Sequence, residues 1–169
     1  MSEEIQNPAF LLTGSNTGNR LKHLSSAKAE ISTRIGEIVL SSHIYESKSW
    51  GYLSENMFYN QALLVRTILT PHEMLNILME IEKNAGRIRK GGKYQDRTLD
   101  IDILLIGDTI IDNEKLKVPH PLLHLRRFAL IPMEEIAPDF LHPVFKKSIR
   151  DILMACPDRS ESRKLSQLS

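Results

Sequence analysis

The chain has 169 residues, enough for one domain at roughly 100–200 residues per domain. Hydrophobic residues make up 41% and charged residues 25%, an ordinary globular composition that rules out disordered, collagen-like and coiled-coil chains. Lys+Arg 22 against Asp+Glu 21 leaves a net charge of +1, so no overall field draws the protein to DNA or an acidic membrane, and an anionic ligand must meet a local basic cluster.

The first predicted strand is Ala9 to Thr13, ending at the turn-forming Gly14-Ser15-Asn16. Asn16, Thr17 or Asn19 then caps a helix to about Arg34, with Leu21, Leu24, Ala27, Ile31 and Ile35 at helical spacing and Gly36 as its stop. Glu37 to Tyr45 reads as one strand, Ser47 to Asn56 as a polar loop, and Phe58 to Thr67 as the third strand. Thr70 and Glu73 form a capping box around Pro71, opening a helix whose buried stripe is Met74, Leu75, Ile77, Leu78 and Ile81, with Gly86 at its end. A basic, glycine-containing loop (Arg87 to Arg97) leads into a fourth strand, Leu99 to Ile106. Ile110-Ile111 is a candidate edge strand and Val118-Pro119-His120-Pro121 a stiff loop; Phe128 to Ile136 is a helix kinked at Pro132, and Ser148 to Cys156 a short last helix. The order β-α-β-β-α-β predicts an α+β, ferredoxin-like sandwich with a C-terminal helical and edge-strand addition. Residues 1–157 are read as a single domain and 158–169 as a polar, frayed tail.

The lone cysteine, Cys156, excludes an intrachain disulfide and a cysteine-rich zinc site. The acidic start has no apolar signal core, and no run approaches 18 apolar residues, so a soluble, cytoplasmic protein is expected.

Asp100-x-Asp102 is the sharpest chemical signal. Residues i and i+2 of a strand share a face, roughly 6.5–7 Å apart. Two carboxylates there repel and resist burial unless a cation compensates, and such a pair can bridge two hard metal ions. On a half-exposed strand the same pair is also compatible with simple solvation. Arg87, Arg89, Lys90, Lys93 and Arg97 precede the pair, with Gly91 and Gly92 among them. A basic loop running into an acidic pair suits a polyphosphate held with Mg²⁺. Gly14-Ser15-Asn16 lacks both the P-loop and the dinucleotide-fold spacing, and a tight turn explains it as well as a phosphate nest does. Phe58-x-Asn60 puts a ring and an amide on one strand face; with Trp50 and Phe128 it offers stacking and edge recognition to a flat heteroaromatic ligand, or else ordinary packing. His120, near Arg126 and Arg127, is a phosphate contact or a structural histidine. No spacing supports a zinc site or a GxSxG nucleophile.

The motifs GSN (14–16), FYN (58–60), E-x₄-R-x-R (82–89), RTLDIDI (97–103), VPHP (118–121) and RRF (126–128) together resemble the 6-hydroxymethyl-7,8-dihydropterin pyrophosphokinase family of folate biosynthesis, from about Phe10 to Pro138. That resemblance implies transfer of the β,γ-diphosphate of ATP to the pterin hydroxymethyl group with release of AMP. It implies that Asp100 and Asp102 ligate two Mg²⁺ ions, with Asp102 also the suspected proton acceptor. Phe58 and Phe128 match the rings that sandwich the pterin, Asn60 the amide that reads its edge, and Ser47 and Trp50 its lining. Arg87 and Arg97 match catalytic residues of a mobile loop. Glu82, Arg89, Arg97, Lys115, Lys117, His120 and Arg126 match contacts to ATP. The implied partners are small molecules, with no nucleic acid, no membrane and a monomeric chain.

Several positions depart from the family pattern. Ser47-Lys48-Ser49-Trp50-Gly51 replaces a common Thr-x-Pro, Tyr94 stands where a tryptophan is common, and Gln95-Asp96 replaces Gly-Pro. Two other readings share the element order: a two-metal nucleotidyltransferase, which needs no pterin slot, and a non-enzymatic RRM-like RNA-binding module, whose phosphate backbone Asp100 and Asp102 would repel.

Overall fold

The computed structural model describes residues 6–86 and 95–165. In chain order these form β1 (Asn7–Ser15), α1 (Arg20–Arg34), β2 (Glu37–Ser41), β3 (Tyr45–Ser47), β4 (Phe58–Thr67), α2 (Pro71–Asn84) and β5 (Asp100–Ile106), then β6 (Ile111–Asp112), β7 (Lys117–Val118), α3 (Arg127–Ile136), α4 (Ile149–Ala155) and β8 (Ser162–Lys164). Six strands make one antiparallel sheet in the order β5-β1-β4-β3-β8, with β2 also paired to β4. The candidate edge strand near Ile110 is instead a two-stranded ribbon of its own, β6 against β7.

Alternation along the strands sorts side chains to two faces. Ala9, Leu11, Leu63, Val65, Ile101 and Ile103 pack under α1 and α2 with Leu24, Ala27, Ile31, Met74, Leu78 and Ile81. Phe10, Leu12, Ala62 and Leu104 pack on the other face with Leu130 and Met133 of α3 and Ile149 and Ile152 of α4. The helix starts follow the residues expected of them. Asn19 caps α1 by accepting from the Lys22 N–H, and both halves of the Thr70–Glu73 capping box are formed. Leu21 is the exception in the α1 stripe, lying 38% exposed one turn outside the sheet contact.

Gly14-Ser15-Asn16 is not a turn, because β1 runs through Ser15. The strand expected over Glu37 to Tyr45 breaks at Ser42–Ile44. Ser41 faces Leu63 and Tyr45 faces Asn60, so three residues on one side oppose two on the other. The extra residue moves every later side chain to the opposite face. Ser42 holds the break: its hydroxyl accepts from the Ala62 N–H and its carbonyl from the Gln61 amide. The polar stretch after Pro157 is not frayed over its described part. Ser162–Lys164 pair with β3, because that edge of the sheet offers unpaired backbone groups.

Gly36 sits where the chain leaves α1 and crosses β4, and a Cβ there would run into the Arg66 carbonyl oxygen. Gly36→Ala is expected to cost about 2–3 kcal/mol, or roughly 5–10 °C of Tm, through backbone displacement. Thermal unfolding of the purified variant measures this.

Candidate functional site

α3 and α4 cover only part of their sheet face. Beyond the first turn of α3 the strand ends stay open, and alternation lines them up: Leu12 and Gly14 from β1, Phe58 and Asn60 from β4, Asp100 and Asp102 from β5. Pairing to β4 shifts once between Ile38 and Leu40 and again at Ser42–Ile44; alternation from Ser41 alone would turn Ser47 to the helix side, and the second shift brings it here. Phe128, in the first turn of α3, and Arg126, just before it, come in from above, and Trp50 and Tyr52 from the loop after β3. The slot these residues enclose is narrow, about 50 Å³.

Its recognition groups are well fixed. Asn60 is 3% exposed and its Nδ2 donates to Ser47 Oγ at 3.3 Å. A Cβ on Gly14 would lie 2.7 Å from Asn60 Oδ1, so only glycine leaves the amide in place. Trp50 and Phe128 have ring centroids 6.5 Å apart at 56°. The Arg126 guanidinium lies 4.7 Å from the Trp50 ring and 5.7 Å from Phe128.

A second, wider groove of about 480 Å³ runs along the outer side of β5. Glu82, Arg97, Asp100, Asp102, Lys115, Lys117, His120 and Arg126 line it. Arg97, Asp100, Asp102 and Arg126 line both spaces, so the acidic pair stands where slot and groove meet. Arg97 lies 3.1 Å from Asp100, and Arg126 lies 3.8 Å from Asp102. Burial first, then the charge of Asp100, pushes the Asp102 carboxyl up to about 7, with Arg126 offsetting only part of that. Burial and the Arg126 charge push His120 down to about 4. Its Nδ1 accepts from the Leu122 N–H at 3.1 Å, so the neutral ring carries its proton on Nε2 as a donor rather than as a cation. Buried Glu82 reaches from α2 to accept from the Ile101 N–H.

Asp100 and Asp102 fit a divalent cation. They are hard oxygen donors that repel each other, and added positive charge relieves that repulsion. Among the described residues no three or more His, Cys, Asp or Glu side chains gather to hold a metal unaided, so the remaining ligands would be phosphate oxygens and water. The Arg126 Nε is buried without a hydrogen-bond partner among the described residues, a donor left over beside the acidic pair.

The structure thus brings together Ser47, Trp50, Phe58, Asn60 and Phe128 on one side, and Glu82, Lys115, Lys117 and His120 on the other, with Arg97, Asp100, Asp102 and Arg126 between. Arg87, Arg89 and Tyr94 lie outside the described residues. Sequence reasoning missed Gly14, Asn16 and Asp96 as site residues. Asn16 exchanges backbone and side-chain hydrogen bonds with Arg97 and donates to Asp96. Asp96 also accepts from the Tyr52 hydroxyl and from Asn56, tying the loop after β3 to the base of Arg97. The signals were the GSN motif at 14–16, read there as a turn, and Asp96 standing where the family pattern has proline.

Residues 10–138 match the family model for 7,8-dihydro-6-hydroxymethylpterin-pyrophosphokinase (HPPK). The chain belongs to this family. It is 38% identical over 142 residues to a 2-amino-4-hydroxy-6-hydroxymethyldihydropteridine pyrophosphokinase of Aquifex aeolicus, covering 84% of this chain and 88% of that one. It is 37% identical to the enzyme of the same name from Haemophilus influenzae, covering 80% and 84%. Its fold is similar to that of an HPPK-DHPS crystallised with substrates, at TM-score 0.73 and 19% identity over 89% of this chain, and to wild-type HPPK-DHPS of Plasmodium falciparum, at TM-score 0.72 and 17% identity over 92%. The chain spans 43% and 45% of the length of those two larger proteins. The acidic junction of this chain is built from motif residues, as are Gly14, Phe58, Asn60 and Phe128 of the slot, while Ser47, Trp50 and Tyr52 lie outside the motifs. No described helix is long and apolar enough to cross a membrane.

Two tests follow from the geometry. Because the folded Asp102 titrates near 7 and an unfolded aspartate near 4, the folded chain binds the extra proton between those values, so this group adds stability as pH falls through 7 and withholds it above. With chelator present, Asp102→Asn is expected to melt a few °C above the parent at pH 8, about 1–2 kcal/mol, with about half of that advantage left at pH 5.5 and almost none below about pH 4. His120 contributes oppositely below about 6.5 in both proteins and cancels in the comparison. Gly14→Ala, which displaces the Asn60 amide, is expected to weaken pterin binding about 10-fold, the loss of one or two hydrogen bonds, with ATP binding unchanged by calorimetry.

Proposed function

We propose that the slot holds 6-hydroxymethyl-7,8-dihydropterin and the groove holds ATP, so that the chain carries out its family's reaction at their junction. The observation that carries this is the sharing of Asp100, Asp102, Arg97 and Arg126 between the two spaces, which puts a ring site and a polyphosphate site on opposite sides of one acidic pair. The sheet order, with each helical crossover skipping one strand, supports a ferredoxin-like arrangement.

The pterin stacks against Phe58 and Phe128, with Trp50 as an added ring, while Asn60, held by Ser47 and left room by Gly14, reads the polar edge of the bicycle. That orientation points the hydroxymethyl group at Asp102. Two Mg²⁺ ions bound by Asp100 and Asp102 would supply charge neutralisation for the phosphates. Arg97 and Arg126, with Lys115, Lys117 and the His120 Nε2–H, hold phosphate oxygens, and Glu82 borders the nucleotide. The hydroxymethyl oxygen forms a bond to the β-phosphorus as the bond from that phosphorus to the α-bridging oxygen breaks; its proton passes to Asp102, and AMP leaves. Positioning and charge neutralisation, rather than covalent catalysis, supply the acceleration. We take the protein to be cytoplasmic and monomeric, one chain holding both substrates in a single domain that extends past residue 157 to include β8. A nucleotidyltransferase would have no use for the Asn60 slot, and Asp100 and Asp102 on the open face would repel an RNA backbone.

Following AMP release from ATP and Mg²⁺ tests this. AMP is expected only when the pterin is present, with Asp102→Ala lowering kcat at least about 10³-fold, the scale of losing a transition-state charge contact, and Asn60→Ala acting mainly on the pterin KM. ADP instead of AMP, or indifference to the pterin, would overturn the assignment.

A further inference from the structure

The family match ends at residue 138, yet the chain beyond α4 returns to the slot. Asp158 Oδ2 accepts from the backbone N–H of Arg127 at 3.1 Å, at the start of α3. No side chain of Arg126, the residue before this helix, caps it, so Asp158 serves as an N-cap supplied from 31 residues away. Asp158 is itself fixed: Oδ1 accepts from the Ser160 N–H at 2.9 Å and the Ser160 hydroxyl at 2.6 Å. Burial works against its charge, but these bonds and the Arg127 N–H hold its carboxyl below the usual range.

A few residues later the same segment becomes β8. Lys164, Arg163 and Ser162 stand opposite Tyr45, Glu46 and Ser47, and Leu165 N–H donates to Ile44 O at 2.9 Å. Arg163 reaches Glu46 at 2.8 Å on one face, and Lys164 approaches Glu135 of α3 at 3.7 Å on the other. Glu135 in turn accepts from the Tyr45 hydroxyl at 2.7 Å and from the His43 N–H at 2.8 Å. One stretch of eight residues, 158–165, therefore grips the first turn of α3, which carries Phe128, and the strand that ends in Ser47. Those are the upper and lower sides of the slot.

We propose that residues 158–165 are a strap that sets the gap between Phe128 and Ser47, with Asp158 as a positioning residue for the ring substrate. This rests on the pterin reading of the slot. The strap touches neither the substrate nor the acidic pair; it acts by holding two elements at one spacing. Without the Asp158 cap the first turn of α3 frays, and without β8 the short strand β3 hangs from β4 alone. Glu82, Lys115 and Lys117 of the groove lie on elements that the strap does not contact, and Arg126, beside the capped helix start, is shared by slot and groove, so the larger effect falls on the pterin.

Asp158→Ala, Asp158→Asn and Arg163→Pro in the full chain test the strap. Leu165 N–H pairs with Ile44 O, and hydrogen-bonded pairs alternate along an antiparallel ladder, so Arg163 N–H is the next donor and proline removes it. Calorimetric titration with 6-hydroxymethyl-7,8-dihydropterin, in the presence of α,β-methylene-ATP, is expected to show Kd raised about fivefold in Asp158→Ala and Arg163→Pro, and within about twofold in Asp158→Asn, which keeps an accepting oxygen. Kd for α,β-methylene-ATP alone should change less than twofold, and amide exchange at Arg127 should quicken in Asp158→Ala but not in Asp158→Asn. Faster exchange at Arg127 with unaltered pterin affinity would overturn the proposal, leaving the segment as a seal on the sheet edge. Parallel loss of pterin and nucleotide binding would also overturn it, as general destabilisation. Should Arg163→Pro not fold, the two Asp158 variants decide the matter. Absence of pterin binding in the unaltered chain would sink the reading of the slot itself and the strap's role with it.

Discussion

Asp100 and Asp102 lie on one face of β5, and the like charge they put there must be balanced against burial. Arg97 and Arg126 supply part of that balance, one from each side, and the open strand ends let solvent and ligand supply the rest. The helices that cover this sheet face stop short of the pair. Arg126 precedes α3 and Phe128 stands in its first turn, so both reach the open end of this face.

Arg126 shows how that balance reaches the rings. Its guanidinium lies between Asp102 and the faces of Trp50 and Phe128, so one cation serves the acidic pair and the aromatic slot together. Trp50 is a residue the family pattern does not call for, and it gains its place by stacking on a cation that the pattern does. Asp96 is a similar case. Replacing proline by a carboxylate before Arg97 gives the loop after β3 an anchor through Tyr52 and Asn56, and Asn16 carries that anchoring on to Arg97. Both departures concern how walls are held, and neither alters the groups proposed to meet phosphate.

The helices and most strands were legible because their signals are local. The capping box at Thr70 and Glu73, Asn19 before α1 and Ser148 before α4 act within a few residues, and hydrophobic periodicity places the stripes they begin. The chemistry of the site was legible for a related reason: Asp100-x-Asp102 and Phe58-x-Asn60 depend only on the two-residue repeat of a strand, which puts each pair on one face wherever that strand lies.

What the residues alone determined was the identity of those pairs, the helix boundaries and the family to which RTLDIDI and VPHP belong. Tertiary structure decided which faces meet. Relative to Ser41, the bulge at Ser42–Ile44 turns Ser47 toward Asn60, and nothing in the local pattern of Glu37 to Tyr45 marks the two places where pairing to β4 shifts by a residue. Gly14 reads as a turn glycine until Asn60 is seen lying against it from 46 positions later in the chain. Residues 158–165 read as a polar tail because their composition is polar, yet an unfilled sheet edge and an uncapped helix gave Asp158, Arg163 and Lys164 partners. Local propensity is blind to such partners: backbone donors and acceptors are the same at every residue, and only the folded chain shows which of them remain to be satisfied.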